Sequence, residues 1–250
     1  MTDYGSLADD FFVNLNLQTT LALPAGRETV LHFFEAVQKE FPEMTSFFQR
    51  ETGEYTLEGN RDAGNYRWME LSPHRLAAGF FNPPNPAEAY RLHLWLLDRS
   101  VYYLGVSGLD VECLDIMFGW NMDFRGNRDA IVGQALLGGS PLANLAGEGV
   151  VATKLLECEP SLVISLDEEC YVQARLSMET RSNSFQVRTG QYDEEPISVY
   201  FTVRRYPRPG HVIKLKDHFA QQCKSCEDLV ARVVIPQIIS PISQAISAAE

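Results

Sequence analysis

An alternation of apolar and polar side chains runs through residues 11–22, FFVNLNLQTTLA. The apolar members of one parity are Phe11, Val13, Leu15, Leu17 and Leu21. Asparagine, glutamine and threonine occupy most of the other parity. Because successive side chains of a strand point to opposite faces, this period of two predicts a β-strand with one face in the core and one face in water. The chain must therefore build a sheet that is covered by other elements on one side.

The pattern after this strand predicts a β-α-β-β-β-α order for the first half. Apolar residues recur at helical spacing from residue 30 to Phe41, and Pro42 ends that helix. Turn signals separate three short strands, expected at 53–59, 64–72 and 75–82. A second helix is expected over 86–100, with Asn85 as its N-cap and Pro86 at its first position.

The second half begins in the same order. Residues 107–124 predict a long strand whose alternation changes phase near Cys113–Leu114, which indicates a β-bulge. A short helix capped by Asn127 follows, and then a less regular insertion near 140–160. Further strands are expected at 161–166, 169–180, 184–190 and 197–205. A long helix over about 216–246 closes the chain, and we expect it to be bent or broken at Pro236 and Pro241.

Together these patterns predict an α+β fold. We expect a tandem pseudo-duplication of one β-α-β-β-β-α unit, with antiparallel sheets, helices packed on one face and a long C-terminal helix. The units are residues 1–105 and 106–250, either as two domains or as one compact pseudo-symmetric domain. In the order of its elements alone, this layout resembles tandem effector-binding domains, in which two β-α-β-β units enclose a small-molecule cleft. The resemblance implies a ligand site between the halves.

Charge and composition exclude several classes of protein. The 250-residue chain carries a net charge of −12, whereas nucleic-acid binding needs clustered Lys and Arg. We find no uninterrupted apolar run near the roughly 18 residues of a membrane span. The acidic N-terminus does not have the pattern of a secretion signal. The chain has five cysteines, and this odd number does not suit a disulfide scaffold. We therefore expect a cytoplasmic protein that binds neither nucleic acid nor membrane.

One local pattern could be mistaken for a metal site. His218, Cys223 and Cys226 show a CxxC spacing with a nearby histidine, but no second CxxC exists to complete a structural zinc site. The two cysteines fall instead on the apolar seam of an amphipathic helix. We expect both thiols to be buried, reduced and metal-free, and we expect no cofactor.

The candidate ligand-binding residues are aromatic and basic. Trp68 and Trp120 lie on predicted strands, where their rings could line an apolar pocket. A basic cluster in this acidic chain starts with Arg204 and Arg205, and guanidinium groups suit carboxylate and phosphate ligands. The candidates are Trp68, Trp120, Arg175, Arg188, Arg204 and Arg205.

Three functions remain open at this stage. The first is a non-catalytic small-molecule or effector-binding protein with a cleft between its halves. The second is a protein-interaction or assembly module whose apolar C-terminal helix docks on a partner or on a second copy. The third is an enzyme of unrecognised class, which ranks last because the sequence lacks the phosphate-loop, dinucleotide-binding, HExxH and GxSxG motifs.

Overall fold

Nine antiparallel strands form one sheet in the computed structural model, which describes residues 4–146 and 154–249. The strands are β1 (Asp10–Thr19), β2 (Ser46–Gln49), β3 (Tyr55–Glu58), β4 (Tyr66–Ser72), β5 (Arg75–Phe81), β6 (Val111–Phe124), β7 (Leu162–Ser165), β8 (Val172–Glu179) and β9 (Glu195–Arg205). Their order across the sheet is β2-β3-β4-β5-β1-β6-β9-β8-β7. The first strands of the two halves, β1 and β6, therefore pair at the centre, so that both halves share one sheet.

The helices pack on one face of this sheet. They are α1 (Arg27–Glu40), α2 (Pro86–Tyr103), α3 (Arg128–Leu137), α4 (Ala143–Ala146), α5 (Ser184–Thr189), α6 (Leu215–Leu229) and α7 (Ser240–Ala249), with a π-helical stretch over Val230–Ile239. Helix α2 lies against β1 and β5, and α6 lies against β6 and β9. The predicted α+β architecture, with a large antiparallel sheet and a long C-terminal helix, is confirmed.

The alternation in β1 produces this one-sided packing. Val13, Leu15 and Leu17 are fully buried in the core, whereas Asn14 and Asn16 on the other parity are half-buried. We call the face that carries Asn14 and Asn16 the open face of the sheet. Burying each large aliphatic side chain contributes roughly 1.5–3 kcal/mol, so the core parity of the two central strands holds the sheet against its helices.

Several local predictions need correction. Residues 184–189 form helix α5 and not a strand, because Asn183 and Gln186 make a reciprocal capping box at its start. Strand β2 was not predicted. The bulge in β6 falls at Glu112, next to the predicted position, where the register shifts from Cys113 to Val111. Of the predicted insertion near 140–160, residues 147–153 lie outside the described part of the chain.

The C-terminal helix continues through both prolines. Pro236 lies within the π-helical stretch, and the amide of Ser240 donates to the carbonyl of Ile235, five residues back. The chain therefore stays helical at the predicted bend or break, and its backbone changes there to the wider π turn, which accommodates a residue that has no amide hydrogen. The continuous helix Leu215–Ala249 is long and apolar enough, by length and composition, to cross a membrane. Its seam residues Val230 and Ile242 are fully buried in the core of this chain.

Candidate functional site

The open face of the sheet forms a groove of about 630 Å³. Side chains of seven strands, β4, β5, β1, β6, β9, β8 and β7 in their order across the sheet, line it. Both halves of the chain therefore contribute to one concave face. The residues that define its chemistry are Asn14, Asn16, Trp68, Arg75, Asp115, Met117, Arg175, Tyr200, Thr202 and Arg204. We refer to this feature as the open-face groove.

Strand register places one row of side chains across the groove. The row runs Trp68, Gly79, Asn14, Met117, Thr202, Arg175 on β4, β5, β1, β6, β9 and β8. Trp68 and Arg175 are each on the third strand outward from the boundary between β1 and β6. An aromatic group and a cationic group therefore lie in the same row on opposite walls.

Gly79 allows Trp68 to lie against the sheet. A Cβ atom at position 79 would lie 2.6 Å from Nε1 of Trp68 and 2.1 Å from Oδ1 of Asn14. Both distances are far below contact distance, so only glycine permits this arrangement. The indole is thus held over β5 beside Asn14, and it remains half-buried in the groove wall.

Two asparagines supply unpaired acceptors on the groove floor. Nδ2 of Asn16 donates to Oδ2 of Asp115 at 3.2 Å, which fixes the orientation of that amide. The Oδ1 atoms of Asn14 and Asn16 are buried and have no hydrogen-bond partner in the described part of the chain. A buried acceptor without a donor costs about 1–3 kcal/mol, so a bound molecule that donates to these oxygens would recover free energy.

An ion pair lies in the middle of the groove. Nε and Nη2 of Arg204 donate to Oδ1 and Oδ2 of Asp115 at 2.8 and 2.7 Å. Asp115 is buried, and its hydrogen bonds raise the pKa of the Arg204 guanidinium above its usual value. The third nitrogen, Nη1, has the Tyr206 hydroxyl at 3.5 Å. The charge of Asp115 is therefore compensated, and one nitrogen of Arg204 keeps capacity to donate.

Arg175 supplies the uncompensated charge of the groove. Arg75 is ion-paired with Glu70, and Arg204 with Asp115. The exposed side chain of Arg175 has no ion pair or hydrogen bond within residues 4–146 and 154–249. Arg175 pairs with Thr202, two residues from Arg204 on β9, so the two arginines are diagonal neighbours on one face. They form a cationic subsite at the β8–β9 wall.

The ionisable groups in and beside the groove are poorly suited to acid–base or nucleophilic chemistry. Burial, followed by the charge of Asp115, raises the pKa of Cys113 to about 12, so that thiol stays protonated near neutral pH. Oε2 of Glu179 accepts from Arg181 at 2.6 Å and from the Tyr200 hydroxyl at 3.1 Å. Each carboxylate in the groove is thus held by an arginine, which favours binding over catalysis.

Trp68, Arg175 and Arg204 lie in the groove, but Trp120 does not. Trp120 is fully buried on the helix-facing side of β6, between Phe11 and Phe118, and its Nε1 donates to the carbonyl of Tyr4 at 2.8 Å. The prediction that it lines a pocket is wrong. Its parity is that of the core residue Ile116, and this sequence signal already distinguished it from Trp68.

Arg188 and Arg205 also lie outside the groove. Arg188 is exposed on α5, where its guanidinium lies 5.6 Å from the ring of Phe185 on the same helix. Arg205 has the opposite parity from Arg204 and faces the helix side of β9, so the sheet divides the predicted basic cluster. It lines a separate pocket of about 450 Å³, together with Arg208, His211, Lys214 and His218.

The two asparagines on the groove floor were not among the sequence candidates. Their position on the polar parity of β1 was visible, but polar residues of that kind usually face bulk water. Their significance depends on the side chains that β4, β6 and β9 place around them. That arrangement follows from strand register over long sequence separations.

The predicted burial of the two thiols of the C-terminal helix is confirmed. Cys223 and Cys226 are both buried and free, and burial is the main cause that raises the pKa of each. Nδ1 of His218 accepts from the backbone amide of Lys214 at 3.2 Å. No group of three or more histidine, cysteine or carboxylate side chains suited to a metal ion occurs among the described residues.

One further apolar pocket, of about 580 Å³, lies between α3 and α4. Leu137, Leu142 and Leu145 line it. Lys154 and Leu155 also line it, and we assign it no function.

No protein-family model and no curated protein matches the chain. Among solved structures, the crystal structure of the di-domain ARO/CYC BexL from the BE-7585A biosynthetic pathway aligns with 94% of this chain and 98% of that chain. The identity is 7% and the TM-score is 0.20. A similarity at this level carries neither a fold assignment nor a function to this protein.

Proposed function

We propose that this protein is a non-catalytic small-molecule-binding protein that holds its ligand in the open-face groove. The observation that carries the proposal is the pair of buried Oδ1 atoms of Asn14 and Asn16 on the groove floor, for which the described residues supply no donor. A concave site with few, convergent polar groups is the usual form of a ligand pocket. Binding ranks above catalysis because Asp115 and Glu179 are both engaged by arginines.

Tandem duplication is part of the same proposal. It is supported by the strand order, in which β5, β4 and β3 extend from β1 as β9, β8 and β7 extend from β6. A helix follows the first strand in each half, α1 after β1 and α3 after β6. If the halves are copies, Trp68 and Arg175 occupy equivalent positions, and the groove lies across the pseudo-twofold axis.

The test uses the three tryptophans of the chain as reporters. A protein labelled with ¹⁵N at the indole nitrogens is titrated with a fragment set of neutral, anionic and cationic aromatic compounds. We expect a subset of fragments to shift the Trp68 signal and to leave those of Trp95 and Trp120 unchanged. The proposal fails if no fragment shifts Trp68, or if every active fragment shifts all three signals alike.

A groove-filling variant gives an independent check. Thr202→Phe places a ring on the groove floor without entering the core, whereas Thr189→Phe adds the same ring to exposed α5. Fragments that bind the unmodified protein should bind Thr189→Phe equally well and Thr202→Phe weakly. Equal binding to both variants would place the site elsewhere.

A protein-interaction role is the second candidate, and edge strand β7 favours it. Leu162, Val163 and Ile164 are 61, 54 and 44% exposed on a strand whose outer edge is unpaired within the described residues. Exposed apolar edge strands readily pair with further strands. If this role holds, the protein self-associates in light scattering or recruits a partner, and Leu162→Lys abolishes the association.

A further inference from the structure

We propose that the open-face groove selects an elongated aromatic oxyanion, with a planar ring at the β4–β5 wall and a carboxylate or phosphate at the β8–β9 wall. This inference rests on the proposed binding function and adds the chemical class of the ligand. It follows from the different chemistry of the two walls and from the acceptors between them.

The β8–β9 wall is built for an anion. Arg175 has no counter-ion among residues 4–146 and 154–249, and Arg204 retains Nη1 after its two bonds to Asp115. Guanidinium groups bind carboxylate and phosphate through short, charge-assisted hydrogen bonds. An anionic group between the two arginines would take donors from both without competing for Asp115.

The opposite wall is built for a planar ring. Trp68 lies over Gly79 and lines the groove, and the neighbouring row on the open face, just outside the groove lining, is aromatic. The rings of Tyr66 and Phe81 stack with centroids 5.3 Å apart, and those of Phe81 and Phe12 with centroids 6.3 Å apart. Such rings offer a large, rigid surface for stacking.

The floor between these walls sets two more requirements. Oδ1 of Asn14 and Oδ1 of Asn16 accept hydrogen bonds and cannot donate them, so the ligand should present an N–H or O–H group to the floor, as an indole N–H does. From β5, under Trp68, to β6, where Asp115 holds the Arg204 guanidinium, is two strand spacings, or about 10 Å across the sheet at ~4.8 Å each. A ligand that spans the site therefore needs a tether between its ring and its anionic group.

The experiment compares isosteric probes that differ in charge. Indole-3-butyrate, indole-3-butyramide and 4-(indol-3-yl)butylamine share the ring and the tether and end in an anion, a neutral amide and a cation. We expect the carboxylate to bind at least about tenfold more tightly than the amide, and the amine to bind most weakly. Indole-3-acetate, with its shorter tether, should bind more weakly than the butyrate.

Two arginine variants separate the subsite from general charge. Arg175→Gln should remove the preference for the carboxylate over the amide, and Arg175→Lys should restore part of it. Arg188→Gln removes an exposed arginine outside the groove and should leave the preference unchanged. Far-ultraviolet circular dichroism of each variant checks its fold.

The outcomes distinguish the two proposals. If the amide binds as tightly as the carboxylate, or if Arg175→Gln keeps the preference, the oxyanion class is wrong while groove binding stands. If the three probes fail but other fragments shift the Trp68 signal, the class is again wrong and the binding function survives. If no compound shifts that signal, the binding function fails and the class fails with it.

Discussion

Asp115 and Arg204 are cross-strand neighbours on β6 and β9 and form a two-point ion pair with N–O distances of 2.8 and 2.7 Å. Arg204 compensates the charge of the buried Asp115. Oδ2 of Asp115 also accepts from Nδ2 of Asn16, which orients that amide. The ion pair lies between Trp68 on β4 and Arg175 on β8. Its integrity therefore links the stability of the central sheet to the form of the site.

Asp115→Asn should destabilise the protein by about 1–3 kcal/mol, because it removes the partner of a half-buried guanidinium. Breaking a fully buried ion pair usually costs about 3–5 kcal/mol. We expect a smaller loss here, because the Arg204 side chain is 38% exposed and solvent partly screens its charge. Urea unfolding measures the difference. The matched control is Glu179→Gln in the exposed pair with Arg181, which should cost less than about 1 kcal/mol. Equal losses in both variants would contradict the assigned role of Asp115.

His93 predicts a pH dependence of stability. Its ring is fully buried against Phe219, neither ring nitrogen has a partner among the described residues, and burial, followed by Arg67, lowers its pKa to about 3. When the pH falls below the ordinary histidine pKa of about 6.5, His93 becomes protonated in the unfolded chain but stays neutral in the folded protein. Stability from this group is therefore complete above about pH 6.5 and declines towards pH 3, with about 2 kcal/mol lost at pH 5.

The variant His93→Leu isolates this contribution. It removes both unpaired nitrogens, so we expect it to be at least as stable as the parent protein at pH 7 and to lose less stability between pH 7 and pH 5. Chemical denaturation at both pH values measures the two losses. Identical losses in parent and variant would show that His93 protonates in the folded protein.

Gly79→Ala should disturb the groove more than the fold. The added methyl group cannot coexist with the present positions of Trp68 and Asn14, so the indole must move away from β5. We expect a red-shifted Trp68 emission, weaker fragment binding and a stability loss of about 1–3 kcal/mol. Gly139→Ala is the control, because a Cβ there meets nothing within 4 Å. An unchanged Trp68 signal in Gly79→Ala would show that the ring does not rest on this strand.

Thiol reactivity should single out one of the five cysteines. Cys170 is exposed, whereas Cys113, Cys158, Cys223 and Cys226 are buried and have raised pKa values. Titration of the native protein with a disulfide reagent should give one fast equivalent, and five after unfolding. Cys170→Ser should remove the fast phase. A fast reaction of Cys223 or Cys226 would mean that the C-terminal helix opens readily.

Local pattern predicted the elements whose burial follows from parity or helical period. The core face of β1, the cap at Asn85 and the buried seam of the C-terminal helix are of this kind, because each depends on neighbouring residues in the sequence. Two local signals compete at residues 184–190. Their apolar residues favour a strand, whereas Asn183 and Gln186 form the capping box that starts a helix, and the capping box decides the structure.

The site depended on information that local pattern does not contain. Trp68 and Arg175 are far apart in the sequence and share a row only because five successive strand pairings bring them into register. Arg204 and Arg205 are adjacent in the sequence, yet the strand sends them to opposite faces of the sheet. Residue type could propose these side chains, but only topology decides which of them meet.

Intermolecular nuclear Overhauser effects between indole-3-butyrate and the labelled protein show where on the protein the ligand binds. We expect contacts from the ligand ring to the Trp68 indole and from the ligand tether to the side-chain amide of Asn14. We also expect the carboxylate to perturb the Arg175 guanidinium signal. Contacts confined to Leu142 and Leu145 in the apolar pocket beside α4, with Trp68 and Arg175 unperturbed, would contradict binding in the open-face groove.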